Sequence, residues 1–303
     1  MSFQNQKLKR IIACPNCKSA LLNIDQEKIN CKECGELYDI INDKPVLINN
    51  DSPVLKWFEL KKESTSSEKR RYSELFRALY SRLRPEDRVW TNSSQKAMQE
   101  LLEINNPDAD DANVVLIGSG LESVFRRILT PYKNIIRIGL TNQENMDLLS
   151  DICDIPLRKD SINLILSSSV LEHVYDPEKA VKEIFRVVKP GGYVYAEIPF
   201  MRAYHMAPVD YQRYTISGIE ELFKRNGFTL VNKGICSGPF TALALFLVDL
   251  CGSLFSFNWC IKEILMPILS LIVHPLKYLD RLFEKSTWAE ISACNFYYIG
   301  KKE

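Results

Sequence analysis

The stretch Ser161–Phe200, SINLILSSSVLEHVYDPEKAVKEIFRVVKPGGYVYAEIPF, reads as one strand–helix–strand unit, and the rest of the chain is placed relative to it. Ile162 to Leu166 is a short apolar run ended by serines, which suits a strand buried on both faces of a parallel sheet. Asp176 can cap a helix, Pro177 can take its first position with φ preset, and Glu178 sits where a negative charge meets the positive end of the helix dipole. Val181, Ile184, Phe185 and Val188 recur at helical spacing and give that helix one apolar face. Lys189-Pro190-Gly191-Gly192 then stops it, and Tyr193 to Ile198 reads as the next strand. Two strands joined by a crossover helix imply parallel neighbours connected right-handedly, so the fold class is α/β, doubly wound.

Upstream, Asn113 to Ile117 is an apolar strand running into Gly118-Ser119-Gly120, a turn whose glycines let the backbone approach a ligand closely at the carboxyl end of the sheet. Ile135 to Leu140 is a second strand, and Asp151-Ile152-Cys153-Asp154-Ile155-Pro156 follows it; Asp154 is equally readable as a turn former. Downstream, Ile216 to Asn226 reads as a helix ended by Gly227, Phe228 to Lys233 as a strand, and Asn295 to Lys301 as a last strand.

At Leu171-Glu172-His173-Val174, Asp176-Pro177 and Val187-Val188-Lys189-Pro190-Gly191-Gly192 the opening stretch resembles the class I S-adenosylmethionine-dependent methyltransferases of the "type 11" kind. The resemblance runs from about Val114 to Leu230 and takes in a final strand near Phe296. It implies a seven-stranded, mostly parallel Rossmann-like sheet and S-adenosylmethionine as cofactor. On that pattern Gly118, Ser119 and Gly120 lie under the cofactor, Asp151 and Ile152 lie beside its adenine, and Ser168 touches its methionine end. Two positions depart from the family: Leu116 stands where an acidic residue commonly precedes the first glycine, and Gly139 stands where a carboxylate commonly holds the ribose. Losing that carboxylate costs about 1–3 kcal/mol, the size of one charge-assisted hydrogen bond, which Glu122 or Asn142 is placed to offset.

Loops at this end of the sheet build the acceptor site, and PFMRAYHMAPVDYQRYT, residues 199–215, is dense in polar and aromatic groups. His205 is the first candidate for proton acceptor and Asp210 the second, with Tyr211, Arg213 and Tyr214 as walls and anion binders. The competing role for Asp210 and Arg213 is a network that fixes the loop. Glu172 and His173 read as packing and capping residues rather than an acid–base pair.

Cys14-Pro-Asn-Cys17 and Cys31-Lys-Glu-Cys34 form two CxxC pairs, each able to set two thiolates on one turn; together they offer the four-sulfur set that zinc favours. A redox role would need only one pair. The residues that follow, CGELYDIINDKPVLIN, resemble the zinc-ribbon module of the small activator subunits of tRNA and rRNA methyltransferases, with Asn42-Asp43-Lys44-Pro45 as a turn between short strands. A structural zinc ion is expected because so few large apolar side chains cannot build a core.

The expected organisation is a ribbon over 1–50, a charged helical linker and cofactor lid over 51–110, a methyltransferase core over 111–235, an apolar helical insertion over 236–287 and the core's last strand over 288–303. From Phe240 to Ile261 Asp249 is the only charged side chain; after Lys262-Glu263 comes a second apolar run to Val273. This reads as a helical hairpin on a membrane surface, as a span, or as a face covered by another subunit or by the domain's own helices. Basic and acidic side chains number 39 and 38 in 303 residues, so a net charge of +1 supplies no global field for nucleic acid. The basic residues between Lys69 and Arg88 are interleaved with acids and read as a solvated face. The first residues lack a signal-peptide core, so the expected compartment is the cytoplasm, at the inner membrane face where the hairpin meets lipid. The leading function is methyl transfer to an acceptor such as a glycan or lipid-linked intermediate. The alternatives are an RNA methyltransferase and a catalytically silent partner protein.

Overall fold

The structure, a computed structural model, describes residues 5–20, 22–25, 27–54, 89–118, 126–140, 146–204, 209–257 and 259–303. The helices expected around Leu75 to Leu83, the basic run from Lys69 to Arg88 and the glycine-turn residues Ser119 and Gly120 lie outside them, as do Glu122, Asn142 and His205.

The opening stretch folds as its local signals dictate. Strand β8 (Ile162–Ser168) leads through a short 3-10 turn at Leu171–His173 to helix α4 (Pro177–Val187) and strand β9 (Val188–Pro199). Asp176 caps α4, its carboxylate accepting from the Lys179 amide at 2.9 Å. The one difference lies at Val188–Gly192, which joins β9 instead of forming a separate stop. Gly191 adopts φ +79°, and the register skips from Ile162↔Val188 to Leu164↔Tyr193, so the strand absorbs the glycines as an irregular start.

Seven strands make the main sheet in the order β10-β11-β9-β8-β5-β6-β7, where β5 is Val114–Ile117, β6 Ile136–Gly139, β7 Leu148–Leu149, β10 Phe228–Ser237 and β11 Asn295–Lys302. Only β11 runs against its neighbours, β9 and β10; the other described pairs are parallel. Both faces are covered, as the apolar composition of β5 demands. Val115 and Ile117 join the core with Ile165, Val181, Ile184 and Phe223 on the side of α4 and α5 (Ile216–Arg225). Val114 and Leu116 face the other way, into a core with Leu166 and Tyr195 beneath Met98, Leu101 and Leu102 of α2 (Asn92–Asn105). Leu116 is therefore a core side chain under α2, which explains an apolar residue at that position.

Each edge of the sheet carries an addition. At the β7 edge sits a four-stranded antiparallel sheet, β1 (Leu22–Ile24), β2 (Lys28–Cys31), β3 (Leu37–Ile41) and β4 (Lys44–Pro45), preceded by α1 (Gln6–Ile11). Asn42 and Asp43 take positive φ in the tight turn between β3 and β4. At the other edge, between β10 and β11, stand α6 (Pro239–Leu254), α7 (Trp259–Val273) and the single turn α8 (Asp280–Phe283); α3 (Arg126–Leu129) lies between β5 and β6. Among the described residues no helix is long and apolar enough to cross a membrane.

Candidate functional site

Strand order reverses between β5 and β8, since β5, β6 and β7 run outward one way and β8 and β9 the other. In such sheets ligands bind outside the carboxyl ends of the strands at this switch point. Here those ends are Gly118 directly after β5, Gly139 on β6 and Ser168 on β8. Gly118 adopts φ +86°, and a Cβ built on it would lie 2.5 Å from Val170 Cγ2, so no other residue fits without strain. A Cβ on Gly139 would lie 3.4 Å from Met146 Sδ and 3.8 Å from the Gly118 Cα, so the two strand ends meet closely at the switch-point crevice, with the Val170 and Met146 side chains against them.

The polar groups around this crevice have partners within the protein. Asp151 is buried; one of its oxygens accepts from Ser52 Oγ at 2.6 Å and the other from the Cys153 amide at 2.9 Å, capping the 3-10 turn Ile152–Asp154. Ser52 escapes sequence reasoning because it lies far from Asp151 in the chain and no local pattern links them. Ser168 donates its hydroxyl to Glu197, a buried carboxylate that stands opposite it on β9. Glu197 carries a sequence signal of its own, an acid inside the otherwise uncharged run Tyr193 to Pro199. Asp154 accepts from Lys179 Nζ at 2.7 Å and Lys18 Nζ at 3.4 Å, and so ties the N-terminal module to α4. Burial pushes the neighbouring Cys153 thiol up to about 12, which leaves it inert at neutral pH.

Beside the crevice, the loop after β9 folds back over the Leu171–His173 turn. The Tyr211 amide donates to the Glu172 carbonyl at 2.8 Å, Gln212 Nε2 donates to the carbonyls of Leu171 and Val174, and His173 Nδ1 lies 2.7 Å from the Val209 carbonyl. Glu172 and His173 thus anchor the loop by backbone and ring contacts. Asp210 pairs through both oxygens with the Arg213 guanidinium, whose remaining donors reach the carbonyls of Arg202, Ala203 and Gln212. Hydrogen bonding to Asp210 raises the Arg213 pKa further above its ordinary value. Burial pushes Tyr214 up to about 12, which removes it as a base near neutrality. Arg202, Tyr204, Asp210, Tyr211, Gln212 and Arg213 line an open cleft of about 310 Å³.

Residues 130–196, from the end of α3 through most of β9, match the family model described as a methyltransferase domain. The match takes in 67 of the chain's 303 residues and identifies that segment as a methyltransferase domain. No curated protein matches the chain. Among solved structures it is similar to the cyclase SpnF, at 15% identity over 68% of this chain and 80% of that one with a TM-score of 0.42. It is also similar to phosphoethanolamine N-methyltransferase 2 of Haemonchus contortus, at 14% over 77% and 58% with a TM-score of 0.41. A third is an S-adenosylmethionine-dependent methyltransferase of Archaeoglobus fulgidus, at 12% over 68% and 94% with a TM-score of 0.40. Identities and scores of this size say nothing of the acceptor that the methyltransferase domain serves here.

A second constellation lies away from the crevice. The sulfurs of Cys14, Cys17, Cys31 and Cys34 all fall within 4.8 Å of one another, with Cys14 and Cys34 3.7 Å apart and Cys17 and Cys31 3.5 Å apart. Bonds of ~2.3 Å to a tetrahedral zinc put sulfurs about 3.8 Å apart, so the spacing fits such an ion. None of the four is in a disulfide. The Gly35 amide donates to the Cys31 carbonyl and the Lys18 amide to the Cys14 carbonyl, closing one tight turn at each pair, and Tyr38 Oη lies 3.2 Å from Cys14 Sγ.

Proposed function

We propose that this chain transfers a methyl group from S-adenosylmethionine to an acceptor held in the 202–213 cleft, an acceptor of the glycan or lipid-linked kind. The observation that carries the reading is the pair of glycines, Gly118 and Gly139, at the strand ends of the switch point, together with the polar and aromatic cleft lined by Arg202, Tyr204 and Asp210 to Arg213. The cofactor, when bound, supplies an electrophilic methyl on a sulfonium. Gly118, Ser119 and Gly120 are the residues assigned to lie under it, Asp151 and Ile152 border its adenine, and Ser168 borders its methionine end. The chain's task is to orient acceptor and methyl in line and to exclude water.

Two assignments within the loop differ in role. Asp210 holds Arg213, and through it the loop, so the proton acceptor for a hydroxyl or ammonium acceptor falls to His205. Cys14, Cys17, Cys31 and Cys34 hold a structural zinc ion that keeps the N-terminal module folded against the Asp151 segment.

Isothermal titration with S-adenosylmethionine and S-adenosylhomocysteine tests the reading. Binding in the micromolar range that Gly118→Val abolishes supports it; no heat and no competition up to millimolar ligand overturns it and favours a catalytically silent partner.

A further inference from the structure

The hairpin between β10 and β11 exposes apolar side chains in a pattern that methyl transfer does not use. On α6, Leu243, Phe246, Leu250 and Leu254 recur at i, i+3, i+7 and i+11, one narrow stripe continued by Phe257 in the turn beyond. Phe246, Leu254 and Phe257 are 59%, 61% and 80% exposed. The stripe lies away from the face that α6 buries, marked by Thr241, Ala244 and Gly252. Ile268, Leu271 and Ile272 make a second exposed stripe on α7, and Tyr278, Leu282, Phe283, Trp288 and Ile291 extend the apolar surface toward the sheet.

Charge decides what covers it. Asp280 turns inward and accepts from the amides of Gly238, Phe240 and Thr241 at 2.9–3.0 Å, capping α6; Glu284 accepts from the Asn92 amide at 2.7 Å and caps α2. With those acids used and Lys277 buried, the charges left around the surface among the described residues are Arg281 and Lys285 against Asp249 and Glu290, a balanced set. Asp249 and Ser253 lie to one side of the α6 stripe, at its edge. The surface is thus uncharged within and neutral at its rim, with the amphipathic rings of Tyr278 and Trp288 among its exposed members, the complement of a phospholipid interface. The exposed side chains run the length of α6, from Leu243 to Leu254, as a helix lying flat in a lipid interface presents them. At 1.5 Å per residue the sixteen-residue α6 is about 24 Å long, short of the ~30 Å of a bilayer core, so the hairpin lies in the interface.

We infer that α6, α7 and the 278–291 segment form a monotopic membrane-docking surface that takes up phospholipid bilayers regardless of headgroup charge. This goes beyond the methyl-transfer reading and is measured without cofactor or acceptor, so the two fail separately. The test is co-sedimentation of the full chain with vesicles of phosphatidylcholine alone and of phosphatidylcholine with phosphatidylglycerol, at low and high salt. Brominated phosphatidylcholine serves as a quencher of Trp288 fluorescence. The expected result is pelleting with both compositions, little changed by salt, with quenching. Phe246→Glu/Leu250→Glu then weakens partitioning about tenfold or more at an unchanged melting temperature, while Ile104→Glu on α2 leaves it intact. No pelleting, pelleting equal in the double variant, or binding only to anionic vesicles at low salt overturns the inference. So does a lipid-free dimer in light scattering that the double variant dissolves.

Discussion

The two edges of the sheet carry additions that meet the protein differently. At the β7 edge the cysteine module merges into the main core through Leu8, Ile12, Ile29, Tyr38 and Leu47 and is tied down further by backbone and charge. The Leu47 amide donates to the Leu149 carbonyl, Ala13 to Pro156 and Arg158 to Ile11, Ser52 reaches Asp151, and Lys18 bridges Asp154 and Glu183. At the β10 edge the hairpin is fastened at its base, by Asp280 on α6, Glu284 on α2 and Arg281 on the Trp90 carbonyl, while its apolar stripes face outward. The comparison teaches that one addition buries its apolar side chains in the shared core and is locked there by polar contacts, whereas the other is fastened by polar contacts at its base and leaves apolar side chains exposed.

The comparison breaks most visibly at the metal. Chelation, or Cys31→Ser with Cys34→Ser, is expected to lower the melting temperature by on the order of 10 °C and to speed amide exchange at Leu149–Pro156, with the hairpin's base unaffected. Metal analysis finding no zinc, or exchange rising equally at both edges, contradicts the separation. At the other edge Asp280→Ala removes the acceptor of three amides, two of them buried, and is expected to cost about 1–3 kcal/mol in urea unfolding; Asp280→Asn should recover part of it.

Smaller effects sharpen the contrast. Ser52→Ala strips a hydroxyl from a buried carboxylate and is expected to cost about 1 kcal/mol, with a matching rise in the dissociation constant of S-adenosylhomocysteine. Stability loss without any change in affinity would show that Asp151 serves only the module's docking. Glu284→Gln should cost the least, about 0.3–1 kcal/mol, because it removes only a charge from an exposed helix terminus; differential scanning calorimetry resolves a shift of this size.

Legibility in the sequence followed the range of the interactions. The β8–α4–β9 unit was readable because its signals are local: Asp176 caps within its own turn, and Val181 and Ile184 face the sheet at helical spacing. The hairpin was readable from composition, and the cysteine pairs from spacing. What stayed hidden was contact at a distance. Nothing near Asp151 names Ser52, and nothing near Gly238 foretells that an acid forty-two residues on will cap α6. The fate of Val188–Gly192 was also hidden, since a Pro-Gly-Gly stop and an irregular strand entry share one sequence.

The reversed strand has a consequence for how the molecule is made. β11 lies between β9 and β10, yet the chain must first lay down residues 238–294. Until then β9 and β10 stand apart, each with a row of unanswered backbone donors and acceptors. During synthesis the greasiest part of the protein is thus on display together with two sticky strand margins. A ribosome stalled within the hairpin would leave a product prone to clump, which makes prompt delivery of β11 the step that renders the nascent chain safe.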